Sequence, residues 1–311
     1  EVIMDKIKSI SEASLDPMNY DKHNGVDPRN SLNDLVGKDW IQETKSIWYQ
    51  KGLGSNHPDA QIEKLHPAPY SFQDIAKLIR FFTKKDGYVL DPFCGVASTL
   101  KACAFTNRRG LGIELVEKWV NLGEERLNSE VEDRSKQEII QGDCRDILKT
   151  LGDDEFDFIV TSPPYWGILR KDKDHKSINE RKKKGYDTNY SDDPRDLGNI
   201  PVYDDFNNEL LDIFRECYRV LKHKKYMCLV VSDFRHGSKF VPFHIDVISC
   251  MSEAGFKLEG ITVLAQNVKK LYPYGYPYAF VSNIHHQYIL IFRKNGEING
   301  SSNKDNAVIR I

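Results

Sequence analysis

Between Phe72 and Thr83 the apolar residues Ile75, Leu78, Ile79 and Phe82 recur at the spacing of one helix face, and a short apolar run, Tyr88-Val89-Leu90, follows them. The period then alternates. Leu100 to Phe105 reads as helix, Gly110 to Ile113 as strand, Val116 to Leu127 as amphipathic helix, and Glu138 to Ile140 and Phe156 to Val160 as strands. Further on, Asp204 or Asp205 is placed to cap a helix reaching Leu221, with an apolar stripe of Leu210, Leu211, Phe214, Tyr218 and Leu221. Strand 227–231, helix 243–253 and strands 257–264 and 287–292 complete the pattern. Strands alternating with helices predict an α/β fold with a doubly wound, mostly parallel sheet.

Three stretches fall outside this rhythm. Residues 1–64 are polar and read as an N-terminal arm or small cap, with one apolar patch at Ser46-Ile47-Trp48-Tyr49 that receives no fold assignment. Residues 167–201 form a charged insertion too long for an ordinary connection, which marks it as functional or mobile. Residues 295–311 read as a frayed tail. The domain expected to carry function is therefore 65–294.

At 311 residues and 40% hydrophobic content the chain can bury a full core, which excludes a disordered or fibrous protein. Its six cysteines show no zinc-ligand spacing and a chain this large needs no disulfide framework, so they are expected to be buried thiols in a reducing cytoplasm. No apolar run approaches the ~20 residues that span a bilayer, and the first residues lack a secretory layout. A start at Glu1 fits a processed or trimmed chain. Net charge is −2, so any nucleic-acid surface must be a local basic patch.

Candidate chemistry gathers at predicted strand ends. Asp91-Pro92-Phe93-Cys94-Gly95-Val96-Ala97-Ser98-Thr99 sits where a strand gives way to a helix, the crevice in which open α/β sheets bind ligands. Gly95 permits close backbone approach and the helix start offers N–H groups. Glu114 ends the next strand, where an acid holds ribose hydroxyls, and Asp143, beside Cys144, follows the strand after that, in position to accept from an adenine amino group. Taken singly each acid reads as a solvated turn residue or cap. Three at successive strand ends favour an adenosine-bearing ligand.

Thr161-Ser162-Pro163-Pro164-Tyr165-Trp166 directly follows the strand 156–160. Two prolines fix the backbone, remove two donors and leave carbonyls free to grip an amino group, while Tyr165 offers a face for a planar base. The plainer reading is a rigid turn carrying a buried aromatic, but the string shares its sheet edge with the loop after Asp91.

These strings resemble the amino-methyltransferases of DNA, which methylate the amino nitrogen of adenine or cytosine. The cofactor loop of that family looks like DPFxGxG, and here it is DPFCGVA, with Ala97 in place of the second glycine. The catalytic signature of polar residue, Pro, Pro, aromatic is similar to Ser162-Pro163-Pro164-Tyr165, and the HPxPF-like segment before the cofactor strand is similar to His66-Pro67-Ala68-Pro69-Tyr70. The likeness covers about residues 64–294, with the cofactor half ahead of the catalytic half, one of the circular orders the family uses. It implies a Rossmann-like methyltransferase sheet of about seven strands, the last antiparallel, and S-adenosylmethionine as methyl donor with no metal. The implied cofactor contacts are His66, Pro67, Pro69, Asp91, Pro92, Phe93, Cys94, Gly95, Ser98, Thr99, Glu114, Asp143 and Cys144.

A leading Ser, rather than Asp or Asn, resembles the members that act on N4 of cytosine, although adenine stays open. An exocyclic amino group is a poor nucleophile, so positioning and electrostatics carry the reaction: Ser162 and the Pro163 carbonyl accept from the amino hydrogens and Tyr165 stacks on the base. A base must be flipped from double-stranded DNA to reach such a pocket. Arg181, Lys182, Lys183 and Lys184, in the insertion, and Tyr274 and Tyr276, in a Pro/Tyr-rich loop, are the candidate DNA contacts; solvated surface and a packed loop are the plainer readings. His285 and His286 read as structural. Carbon-5 methylation is disfavoured because no cysteine follows a proline, and a nicotinamide oxidoreductase because no GxGxxG follows the first strand. An RNA amino-methyltransferase and a catalytically silent scaffold are the alternatives. A cytoplasmic, nucleoid-associated enzyme of a restriction-modification system, with a cognate endonuclease as partner, is the expected setting.

Overall fold

Strand β2 (Tyr88–Asp91) buries three of its four residues, as expected of a strand covered on both faces. In the computed structural model, which describes residues 25–50, 62, 65–66, 71–167, 190–267 and 269–295, β3 (Arg109–Glu114) and β4 (Gln137–Gln141) lie parallel to β2 on one side. On its other side lie β5 (Phe156–Thr161) and β6 (Leu221–Val231), also parallel. Then come β10 (His286–Lys294), antiparallel, and β9 (Phe256–Ala265), antiparallel to β10. An eighth strand, β1 (Ile47–Tyr49), joins the edge parallel to β9, giving the order β1-β9-β10-β6-β5-β2-β3-β4. Only β10 runs against the others, as the resemblance implied.

Helices cover both faces. On one, α2 (Phe72–Phe82) lays Phe72, Ile75, Leu78, Ile79 and Phe82 on Val89, Phe158, Val160 and Cys228, with Ala102 and Cys103 of α3 (Ser98–Phe105) beside them. On the other, α6 (Tyr203–Val220) buries Phe206, Leu210, Phe214, Cys217 and Val220 with Leu148 of α5 (Cys144–Thr150) and Phe243, Val247 and Met251 of α7 (Phe243–Glu253). Helix α4 (Glu117–Glu130) fastens its buried Arg126 to the start of α3, through the Val96 carbonyl at 3.1 Å and Ser98 Oγ at 2.8 Å.

Several expectations change. The apolar patch at 46–49 is a strand: Trp48 is buried in the core with Leu264 and Ile289 while Ile47 and Tyr49 face outward, a pattern too short to read as periodic. Ahead of it lies α1 (Gly37–Glu43), and buried Asn33 donates to the Phe81 carbonyl at 2.6 Å, satisfying an acceptor at the end of α2. Neither Asp204 nor Asp205 caps α6. The helix begins at Tyr203 with Val202 at the N-cap, and both acids fall in its first turn, where they favour the helix dipole. Strand β6 starts six residues before the expected Met227. Helix α5 was not anticipated; its cap is Asp143 itself. A short 3₁₀ turn, Leu197–Asn199, and the antiparallel hairpin β7 (Phe234–His236) and β8 (Lys239–Val241) complete the described elements. Among the described residues no helix is long and apolar enough to cross a membrane.

Candidate active site

The loops leaving β2, β3, β4 and β5 open on one edge of the sheet, and Asp91 ties two of them together. Its side chain is fully buried. One oxygen accepts from Phe93 N–H at 3.0 Å and from the Thr161 hydroxyl at 2.5 Å; the other accepts from the Thr99 hydroxyl. One carboxylate therefore joins the loop after β2, the first turn of α3 and the last residue of β5, immediately before Ser162.

Gly95 takes φ +53°, and a side chain there would crowd the buried His66 ring 3.2 Å away. Its N–H donates to Glu114 Oε2 at 2.9 Å, Cys94 N–H to the Ile113 carbonyl at 2.9 Å, and Ala97 N–H to the Cys94 carbonyl at 3.1 Å. These three N–H groups, all ahead of the first turn of α3, are spent inside the loop, which fixes its shape. Ala97, at the position where the family has its second glycine, holds φ +61° and is fully buried. It adopts the glycine conformation without being glycine.

A cleft lies in front of this loop. Pro92, Phe93, Glu114, Asp143 and Cys144 line it together with Ser162 and Pro164. The two candidate halves thus share one cavity. Asp91, Cys94, Gly95, Ser98 and Thr99 are buried behind the wall, and His66 packs edge-on against Trp119 and Tyr190, at 4.9 and 4.8 Å. Pro67 and Pro69, like Arg181, Lys182, Lys183 and Lys184, lie outside the described residues.

Glu114 accepts from Gly95 N–H with one oxygen and from Val116 N–H with the other, at 2.9 Å each. Burial pushes its pKa up to about 7 despite these bonds, with Asp91 and Asp196 adding repulsion. Asp143 caps α5 and pairs with Arg145 at 2.6 Å. Burial alone would raise its pKa, but the Arg145 guanidinium and N–H hold it below the usual carboxylate value. Arg145 also donates to Glu209 on α6 and to the Arg195 carbonyl, both at 2.9 Å, so it braces the far wall.

That wall was missed by sequence reasoning. Tyr190, Arg195, Asp196 and Leu197, from the end of the long insertion, close over the cleft. Asp196 is buried, accepting from Ser191 Oγ at 3.0 Å and Gly198 N–H at 2.9 Å. Its sequence signal, an acid one residue ahead of a Leu-Gly-Asn turn, was visible only as loop composition.

The string after β5 divides. Ser162 and Pro164 reach the cleft, whereas Pro163 is buried. Tyr165 packs near Phe243 and Phe234, with ring centroids 5.7 and 6.2 Å away, and its hydroxyl accepts from Ser232 N–H at 3.0 Å. Burial raises the Tyr165 pKa, against hydrogen bonding with Ser232, Gln287 and Ser162. Trp166 donates to the Ile200 carbonyl at 2.8 Å and packs on His236 at 4.5 Å, linking the string to the β7–β8 hairpin.

Comparison with known proteins agrees in kind. The chain is 32% identical over 101 residues to the Type II methyltransferase M.SmaI of Serratia marcescens, covering 30% of this chain and 26% of that protein. It is 25% identical over 115 residues to the Type II methyltransferase M.BglII of Bacillus subtilis, covering 37% and 30%. These matches span only about a third or less of the relatives' length. Among solved structures, TrmN from Thermus thermophilus superposes over 79% of this chain and 54% of its own with a TM-score of 0.48 and 16% identity. The family model described as DNA methylase matches residues 7–125 and 156–309, well over half of the chain. By that match the chain belongs to the DNA methylase family.

Proposed function

We propose that this chain transfers a methyl group from S-adenosylmethionine to the exocyclic amino nitrogen of a base flipped out of double-stranded DNA, with N4 of cytosine as the target. The observation that carries the reading is the shared cleft: Glu114 and Asp143, suited to an adenosine, face the same cavity as Ser162 and Pro164. The cofactor fits the donor set. Three acids, Glu114, Asp143 and Asp196, line the walls, which suits a cationic ligand, and Glu114 retains acceptor capacity for ribose hydroxyls. When bound, the cofactor supplies an electrophilic methyl group on a positively charged sulfur.

The remaining work falls to residues of this chain. Ser162 Oγ and the Pro163 carbonyl accept from the two amino hydrogens, which turns the nitrogen lone pair toward the cleft. Tyr165, held by Ser232, gives the base an aromatic surface on one side. The surplus proton leaves through Ser162 or water. Asp91 is a positioning residue, because its bond to Thr161 sets where Ser162 begins. The catalytic domain is 65–294 with β1 added to its edge, and the Type II names of the relatives support a restriction-modification setting with a partner endonuclease.

The test is incubation with radiolabelled S-adenosylmethionine and mixed DNA, with RNA in parallel, followed by digestion and chromatography of the nucleosides. Label in N4-methylcytosine is expected. N6-methyladenine corrects the base, label confined to RNA overturns the DNA reading, and no label in either with cofactor bound favours a silent scaffold.

A further inference from the structure

The segment between β9 and β10 presents three aromatic rings to solvent: Tyr276, Tyr278 and Phe280 are 81%, 94% and 92% exposed. Exposed rings in succession on one loop are costly unless something covers them. The loop is built to hold its shape. Asn283 clamps Tyr272 at both ends of its peptide, accepting from its N–H at 2.9 Å and donating to its carbonyl at 2.8 Å. At the tip the Gly275 carbonyl accepts from both Tyr278 and Ala279 N–H at 2.8 Å, and Gly275 takes φ +74°, where a side chain would run into the Ala279 carbonyl.

Charge and position bear on what the rings are suited to meet. Residues 266–288 include Lys269, Lys270, His285 and His286 and no Asp or Glu, in a chain with 46 acids. The β7–β8 hairpin, Phe234–Val241, is likewise acid-free, with Arg235, His236 and Lys239. Both segments leave the same sheet edge as Ser162: β10 lies two strands from β5, about 10 Å away. The root of the aromatic loop touches the catalytic string's support, since Ser232 Oγ lies 3.4 Å from the His286 carbonyl and Ser232 N–H holds Tyr165.

We infer that the loop bearing Tyr276, Tyr278 and Phe280 is a base-stacking wedge, which packs its rings against bases of duplex DNA opened beside the flipped nucleotide while the acid-free segments around it contact phosphates. The inference rests on the DNA reading above and adds to it the element that holds the duplex open. Stacking on an aromatic side chain changes affinity by about tenfold per base or more, without regard to sequence.

The test compares the full chain with the triple variant Tyr276→Ala/Tyr278→Ala/Phe280→Ala for binding to a mixture of duplex restriction fragments across a salt series, and for S-adenosylmethionine affinity as a check on folding. The expected result is DNA affinity at least tenfold weaker with cofactor affinity unchanged. The slope of log affinity against log salt should be kept, because rings and not charges were removed. The double variant Tyr276→Phe/Tyr278→Phe, which keeps the rings, should bind as the parent does. Equal DNA affinity in the triple variant overturns the wedge and leaves the methyltransferase reading standing. Loop-dependent binding by a parent that transfers no label supports the wedge while sinking that reading. A parent that binds no duplex DNA overturns both.

Discussion

The two halves of the catalytic edge are built on opposite principles. At the ends of β2, β3 and β4 the acids are buried (Asp91, Glu114) or half-buried (Asp143) and their oxygens already accept from backbone N–H groups or hydroxyls, so the cleft wall is rigid before any ligand arrives. At the ends of β6 and β10 the edge carries an exposed aromatic loop and a short hairpin, both with basic side chains and without Asp or Glu, while the one acid beside them, Asp233, is buried and paired with His244. A half that meets one small molecule can be fixed by internal hydrogen bonds. A half that meets a deformable polymer must keep unsatisfied surface, and its affinity is tuned by what it leaves exposed.

Breaking the first half from the second is the strongest test of this contrast. Ser162→Ala and Tyr165→Ala should each lower methyl transfer by roughly 10²-fold or more while cofactor affinity, read by calorimetry, stays near that of the parent. Undiminished turnover in both would remove Ser162 and Tyr165 from the mechanism. Asp91→Ala should strike both halves together, since it removes the carboxylate that accepts from Phe93 N–H and two threonine hydroxyls: a loss of about 3 kcal/mol in urea unfolding is expected. A loss confined to cofactor affinity, with stability intact, would mean that Asp91 serves the ligand alone.

Glu114 gives a smaller effect with a definite sign. Its pKa in the folded protein, about 7, lies above the ordinary 4.5, so the folded state holds the extra proton and stability is lost as pH rises from about 4.5 through 7. A ligand that donates hydroxyls to Glu114 favours the ionised form, so cofactor affinity should rise about tenfold between pH 6 and 8 and flatten in Glu114→Gln. An affinity that falls over that range would place the cofactor away from Glu114. Smallest of all, Ala97→Gly should shift stability by about 1 kcal/mol or less, because relief of the left-handed conformation is offset by a lost buried methyl and a freer unfolded chain; a larger loss would show that the methyl packing dominates.

What was legible in the sequence follows the same division. The strand ends that carry Asp91, Glu114 and Ser162 were readable because apolar runs of both-face burial stop abruptly at them. The direction each carboxylate faces was not, since the turn toward Thr99 and Thr161 depends on residues up to 70 positions away. Asp143 read as the close of a strand, whereas it caps a seven-residue helix with too few turns to show a period. Tyr190 and Asp196 were hidden because loop composition does not reveal what a loop covers. The tyrosine loop was legible as stiff, but only coordinates reveal which of its rings face water.

Strand β1 also has a bearing on solubility. It shields the end of β9 nearest the catalytic edge, pairing Ile47, Trp48 and Tyr49 with Val263, Leu264 and Ala265. Proteolytic clipping that released this short segment would leave every residue of the cleft in the chain. It would also bare a row of backbone donors and acceptors able to recruit a strand from another molecule. Self-association, more than a slower reaction, would then be the first sign of damage.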